Sequence, residues 1–72
     1  MAVLKVIEVM ASSPKSWEDA TLTAVKRTAK TVKNIRSVWV KDQSMTLTKT
    51  GKPKEFRTTV KISFEVGSTS KA

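Results

Sequence analysis

Phe56 to Val66, F-R-T-T-V-K-I-S-F-E-V, is the clearest amphipathic strand in the sequence, because apolar and polar residues alternate along nearly its whole length. Side chains of a strand point alternately to the two faces of a sheet, so this pattern predicts a strand with one buried face. The residues predicted to lie on that face are Phe56, Thr58, Val60, Ile62, Phe64 and Val66.

A second strand is predicted immediately upstream, from Ile35 to about Lys49. Thr50-Gly51-Lys52-Pro53 supplies turn residues between the two strands, which therefore form an antiparallel hairpin. Period two divides the second strand into two faces. One carries Arg36, Val38, Val40 and Asp42, and the other carries Ile35, Ser37, Trp39, Lys41, Gln43, Met45 and Leu47.

The N-terminal half predicts a strand followed by a helix. Val3 to Met10 is rich in Val, Ile and Leu and precedes the turn-forming Ser12-Ser13-Pro14. Ser16 is placed to cap a helix from about Trp17 to Lys33, and Asn34 is suited to end it. Three- and four-residue steps predict one apolar helix face. That face carries Trp17, Ala20, Ala24, Val25, Ala29 and Val32.

The predicted fold is therefore α+β, in the order β-α-β-β, with one helix packed on a three-stranded antiparallel sheet. We expect residues 1–72 to form a single domain, with Gly67 to Ala72 as a frayed tail. One helix covers only one sheet face. The other face, predicted to carry Trp39, Met45 and Leu47 together with charges, is typical of an interface.

Composition favours a homo-oligomer. A core of this size rarely supplies more than roughly 3–5 kcal/mol of net stability, and most such chains need an additional stabilising device. The chain has no Cys and no His, which excludes disulfides and thiolate or imidazole metal sites. Association of subunits remains the favoured device.

The formal charge of +8 leaves several partners open. Lys and Arg occur in every segment, so they form either a solvated surface or an anion site. Nucleic-acid binding, with Trp39 stacking on a base, is a less favoured alternative. We expect no membrane span and no export signal, and the cytoplasm is the default location.

Catalysis is not expected. The chain has no His, Cys or Tyr, and it contains no Ser-Lys, paired-carboxylate or glycine-rich phosphate motif. Hard cations such as calcium can bind carboxylates and carbonyls, but no acidic cluster in the sequence indicates a metal site.

Four segments together resemble the dodecins, small proteins that assemble as hollow homododecamers and bind flavins in pairs. The resemblance extends over roughly Ala2 to Val66. Its segments are Ala2-Val3-Leu4-Lys5-Val6-Ile7-Glu8, Ser13-Pro14-Lys15-Ser16-Trp17-Glu18-Asp19-Ala20, Lys30-Thr31-Val32-Lys33-Asn34-Ile35-Arg36 and Thr59-Val60-Lys61-Ile62-Ser63-Phe64.

The resemblance also implies a flavin site, and this chain departs from it at two positions. Flavin-binding dodecins carry a stacking tryptophan after the Asn-Ile-Arg stretch, where this chain has Ser37, and a glutamine where it has Arg57. The family's acidic position is kept as Asp42. Trp39 lies on the same predicted face as Ser37, either as a shifted stacking platform or as an interface or core aromatic.

The same resemblance implies roles for Arg57 and for a group of basic residues near the end of the helix. Arg57 either binds a phosphate or a ring carbonyl, or pairs with Asp42 or Glu55. Dodecin subunit junctions trap ions or nucleotide phosphates, and four residues near the helix end are candidates for that role unless they are only a solvated face. They are Lys26, Arg27, Lys30 and Lys33.

The leading hypothesis is thus a non-catalytic, dodecin-like homododecamer that sequesters a flavin, whether FMN, FAD or riboflavin, or a related planar small molecule. The alternative is the same assembly without flavin binding, holding ions or phosphate-bearing ligands.

Overall fold

A strand, a helix and two further strands follow one another along the chain. They are β1 (Leu4–Ser13), α1 (Trp17–Ala29), β2 (Ile35–Leu47) and β3 (Pro53–Glu65). The structure is a computed structural model that describes residues 3–66, so the tail predicted to fray lies outside the described residues. The sheet order is β1-β3-β2, and both neighbouring pairs are antiparallel. This confirms the predicted fold.

The core lies between α1 and the central strand β3. Thr58, Val60 and Ile62 alternate along β3 and are fully buried, as the period-two pattern predicts. Ala20 and Ala24 face them from α1, and their small side chains let the helix pack close to the sheet. Partly buried residues around this centre are Ile7, Val9, Ala11, Val25 and Ile35.

The helix begins where the sequence predicts and ends earlier. The Ser16 hydroxyl accepts a hydrogen bond from the Asp19 amide at 3.0 Å, which caps the first turn. The helix ends at Ala29, not at the predicted Lys33, because the last turn tightens and the Thr28 carbonyl accepts from the amides of Thr31 and Val32. Val32 therefore lies outside the helix. Asn34 takes the left-handed conformation, with φ of 63°, as predicted.

The strand bounds differ from the prediction where strands pair with one another. β1 continues past Met10 to Ser13, which pairs with Phe56 of β3. β3 starts at Pro53 instead of Phe56 because its first residues pair with Thr46 and Leu47 at the end of β2. β2 ends at Leu47, two residues earlier than predicted. The hairpin tip is closed by Gly51, which has a φ of +84°.

Two irregularities in β2 reverse part of its predicted facing. The register against β3 shifts between Ile35 and Ser37 and again between Val40 and Asp42, so that Arg36 and Lys41 are extra, bulged residues. Each bulge moves the following residues to the opposite face. Ile35, Val38, Val40, Gln43 and Met45 thus pair with residues of the helix-facing side of β3.

The predicted grouping of Trp39, Met45 and Leu47 on one face is consequently wrong. Met45 pairs with Phe56 on the helix side, whereas Trp39 pairs with Lys61 on the opposite side. Asp42, predicted on the face opposite Trp39, shares its face. Leu47 follows a third register shift, beside Pro53.

Candidate ligand-binding face

The sheet face turned away from α1, here called the open face, is the candidate site. Its residues form rows across the strands in the order β1, β3, β2, because β3 pairs with both neighbours. Consecutive rows are Val6-Ser63-Ser37, Glu8-Lys61-Trp39, Met10-Thr59-Asp42 and Ser12-Arg57-Ser44.

The four residues predicted to contact a flavin all lie on the open face. Ser37, Trp39, Asp42 and Arg57 occupy four consecutive rows of it. The bulge at Lys41 is what brings Asp42 onto the side of Trp39. The sequence prediction that Ser37 and Trp39 share a face is correct.

Trp39 presents an accessible aromatic surface. Its side chain is 63% exposed, and the Lys61 ammonium lies 5.2 Å from the ring centroid, within cation-π range. Lys61 therefore occupies one face of the indole and leaves the other to a ligand. A planar molecule can stack on that free face.

Ser37 cannot stack, and its hydroxyl is engaged in the sheet. Its Oγ lies 2.5 Å from the Oγ of Ser63, the residue opposite it on β3. The row next to Trp39 thus carries a pair of hydrogen-bonded hydroxyls, which can donate to or accept from a polar ring edge.

The two bulged residues of β2 neutralise two carboxylates of the open face. The Lys41 ammonium lies 3.1 Å from the Glu8 carboxylate, so its side chain reaches across the central strand to β1. Arg36 pairs with Glu65 through two guanidinium nitrogens. These exposed pairs contribute little stability, but they occupy both carboxylates. Asp42 has no ion-pair partner among residues 3–66.

Arg57 lies two positions from Thr59 along β3, opposite Ser44 on β2 and Ser12 on β1. The expected ion pair with Asp42 or Glu55 is not formed, since within the described range Arg57 has no carboxylate oxygen within 4.0 Å. Asp42 instead belongs to the neighbouring row. The exposed guanidinium therefore remains available to a ligand.

The four basic residues near the helix end form a separate group on the other side of the sheet. Lys26 and Arg27 lie in the last turn of α1, Lys30 caps it, and Lys33 follows in the connection to β2. Arg27 also lines a groove of about 400 Å³ between α1 and β1. The structure does not bring these residues to Trp39.

Sequence reasoning missed the partners that surround Trp39. Lys61 and the Glu8-Lys41 pair depend on the strand order and register, which no local motif records. It also placed Trp17 in the buried helix face. Trp17 is half-buried, packs edge-on against Phe56 at 4.9 Å, and donates from Nε1 to the Ser44 carbonyl at 2.8 Å.

One helix packed on one face of a three-stranded sheet defines a small α+β protein, and its open face presents an exposed aromatic side chain and several charges. Comparison with known proteins identifies the family to which the chain belongs. The dodecin family model matches residues 3–67. The chain therefore belongs to the dodecin family, whose members are small ligand-binding proteins without enzymatic activity.

Individual relatives agree with this assignment. The calcium dodecin of Mycobacterium tuberculosis is 38% identical over 66 residues, which cover 92% of each chain. A crystal structure of that calcium dodecin, described as having a novel calcium-binding site, superposes with a TM-score of 0.79 at 34% identity and covers 97% of this chain and 99% of its own. A mutant of Thermus thermophilus dodecin gives 0.86 at 26% identity, covering 96% and 100%.

Proposed function

We propose that the protein assembles as a homododecamer and sequesters a planar ligand of the flavin class on its open face, with Trp39 as the stacking platform. The observation that supports this most directly is the exposed indole of Trp39, backed on one side by Lys61. This is the leading hypothesis from the sequence, with the platform placed two residues from the family position, Ser37.

Each neighbouring group has a stated role in this proposal. Trp39 supplies stacking, which is worth on the order of 1–3 kcal/mol for a base on an aromatic side chain. Lys61 holds the indole from behind and directs the ligand to the free face. The Ser37-Ser63 hydroxyl pair lies one row away, where it can hydrogen-bond a polar ring edge. No chemical step is required of the ligand, which is held and shielded.

Assembly is supported by the β1 side of the open face. Leu4, Val6 and Met10 alternate along β1 and are each more than half exposed in the protomer. These exposed apolar side chains lie on a strand at the sheet edge, with Glu8 between Val6 and Met10, and they favour burial against another subunit. A second copy of the chain provides that cover, as in the dodecin family.

The stacking role is tested by titrating FMN and riboflavin into the protein and following the quenching of flavin fluorescence. Trp39→Ala is expected to weaken flavin binding about tenfold or more, in line with the loss of one stacking partner. Leu47→Ala is the matched control, because Leu47 is an apolar side chain of similar exposure on the same strand. Equal flavin affinities of the two variants would show that Trp39 does not contribute to the site.

A gain-of-function variant tests the same proposal from the other direction. Ser37→Trp places an indole at the family's stacking position and is expected to raise flavin affinity above that of the unmodified protein. Size-exclusion chromatography with light scattering, recorded with flavin absorbance, gives the subunit number and shows whether flavin travels with the assembly. A monomer contradicts the assembly, and a colourless dodecamer with excess flavin present contradicts the ligand class.

Calcium is a second candidate ligand, favoured by the 38% identity to a calcium dodecin. Residues 3–66 contain no group of three or more His, Cys, Asp or Glu side chains placed to hold a metal ion. A calcium site would therefore have to draw carboxylates from several subunits, and Asp42 and Glu55 are open-face carboxylates free of an ion pair within the described residues. Calorimetry with Ca²⁺ on the protein and on Asp42→Asn tests this candidate.

A further inference from the structure

The row formed by Ser12, Arg57 and Ser44 places one guanidinium between two hydroxyl side chains. Arg57 on the central strand is directly opposite Ser12 on β1 and Ser44 on β2. All three side chains are exposed on the open face, and the hydrogen bonds within residues 3–66 include none from Arg57 or from either hydroxyl. The row therefore presents unused donors.

These donors suit a phosphate monoester. A guanidinium offers a fork of N–H groups that matches two phosphate oxygens, and hydroxyls can donate to the third oxygen. Ser44 is held in place from behind, because its carbonyl accepts the hydrogen bond of the Trp17 indole at 2.8 Å. Arg57 replaces the amide that the family carries at this position, which has fewer donors and no charge.

The Ser12-Arg57-Ser44 row lies close enough to Trp39 for a single ligand to contact both. Arg57 precedes Lys61 by four residues along β3, or about 13 Å at the usual rise of a strand. Trp39 is opposite Lys61. A planar ring on Trp39 that carries a phosphate on a short flexible chain can thus place the phosphate near Arg57, with the long arginine side chain closing the gap.

Asp42 limits the geometry of such a ligand. Its carboxylate occupies the intervening row, beside Thr59, and repels a phosphate placed directly next to Trp39. The phosphate is favoured only beyond Asp42, at the Arg57 row, or on the Lys61 side. This arrangement discriminates between phosphorylated ligands by the length of the chain that joins ring and phosphate.

We infer that Ser12, Arg57 and Ser44 form a phosphate subsite that makes the open face selective for phosphorylated planar ligands over their unphosphorylated forms. The inference rests on the proposed function, since it assigns the second half of a ligand whose ring stacks on Trp39. It gives Arg57 a binding role that differs from contact with the ring edge.

The test compares FMN with riboflavin, which differ only by the phosphate, on the assembled protein. FMN is expected to bind about tenfold more tightly than riboflavin, the order of one charge-assisted hydrogen-bonded contact. Arg57→Gln should reduce this ratio to about one and leave riboflavin affinity unchanged. Lys52→Gln is the matched control, because it removes the same charge from the exposed hairpin tip, and it should keep the preference.

Inorganic phosphate provides a readout that does not depend on the ring. Its ³¹P resonance is expected to broaden with the unmodified protein and with Lys52→Gln, but not with Arg57→Gln. Phosphate should also compete with FMN and leave riboflavin binding unaffected, which separates a phosphate subsite from general screening by salt.

The possible failures are distinguishable. Equal binding of FMN and riboflavin to the unmodified protein overturns the subsite and leaves the proposed function intact. An equal loss of both ligands in Arg57→Gln also overturns it, by placing Arg57 at the ring edge. If neither flavin binds, the proposed function fails, and the phosphate resonance then decides the subsite alone: an unbroadened line overturns it.

Discussion

Ile62→Ala tests whether a single protomer is stable without its partners. Ile62 is fully buried at the centre of β3, between Ile7 on one neighbouring strand and Val38 on the other, and packs under Ala24 of the helix. The substitution removes three side-chain carbons at about 0.8 kcal/mol each, or roughly 2.4 kcal/mol of transfer free energy. The cavity adds to this, and such substitutions typically cost about 2–5 kcal/mol.

This loss is comparable with everything that a core of this size supplies. A domain of this length rarely gains more than roughly 3–5 kcal/mol from a single core, so a lone Ile62→Ala protomer is expected to be largely unfolded. Burial between subunits adds stability that depends on protein concentration. The variant should therefore fold at high concentration and unfold on dilution.

Urea unfolding followed by far-UV circular dichroism, at two protein concentrations that differ a hundredfold, measures this directly. We expect the midpoint of both proteins to rise with concentration, and the midpoint of Ile62→Ala to lie well below that of the unmodified chain. Leu22→Ala, an exposed position on α1, is the control and should shift the free energy of unfolding by less than about 1 kcal/mol. Midpoints independent of concentration would refute the need for assembly.

Two further substitutions test local features of the fold, each by the same unfolding measurement. Trp17→Phe keeps an aromatic ring against Phe56 but removes the hydrogen bond from Nε1 to the Ser44 carbonyl. It should lower the free energy of unfolding by about 1 kcal/mol or less. A larger loss would mean that the ring packing was also disturbed. Gly51→Ala should cost about 1 kcal/mol from the positive φ alone, because no atom lies within 4 Å of the added methyl group, and an unchanged stability would show that the turn relaxes.

The alternation of β3 made the fold predictable. Thr58, Val60 and Ile62 of the predicted face are fully buried, whereas Val66 lies beyond the end of the strand and is exposed. The helix cap at Ser16 is where the sequence places it. The errors lie at element ends, where pairing with another strand decides the boundary. β1 reaches Ser13 by pairing with Phe56, and β3 begins at Pro53 by pairing with the end of β2; no segment signals this alone.

The site was less predictable because β2 contains bulges. A charged residue in an otherwise alternating strand has no signature that separates a bulge from a regular position. The bulges at Arg36 and Lys41 therefore could not be predicted from the sequence. Period two therefore placed Met45 with Trp39 and Asp42 away from it, both wrongly. The family resemblance supplied candidate site residues that no local pattern indicates, but it contained no information on Lys61.

The division of the open face into two halves links ligand binding to assembly. The β1 half carries an apolar stripe of Leu4, Val6 and Met10, interrupted by Glu8, which favours cover by another subunit. The β2 half carries Trp39 among polar side chains. These halves are separated only by β3, so a subunit that covers the stripe borders any ligand stacked on Trp39. A ligand that contacts both subunits binds the assembly more tightly than the free protomer and stabilises it by mass action. Trp39→Ala should then lose the flavin-induced rise in the unfolding midpoint while keeping the subunit number of the ligand-free protein.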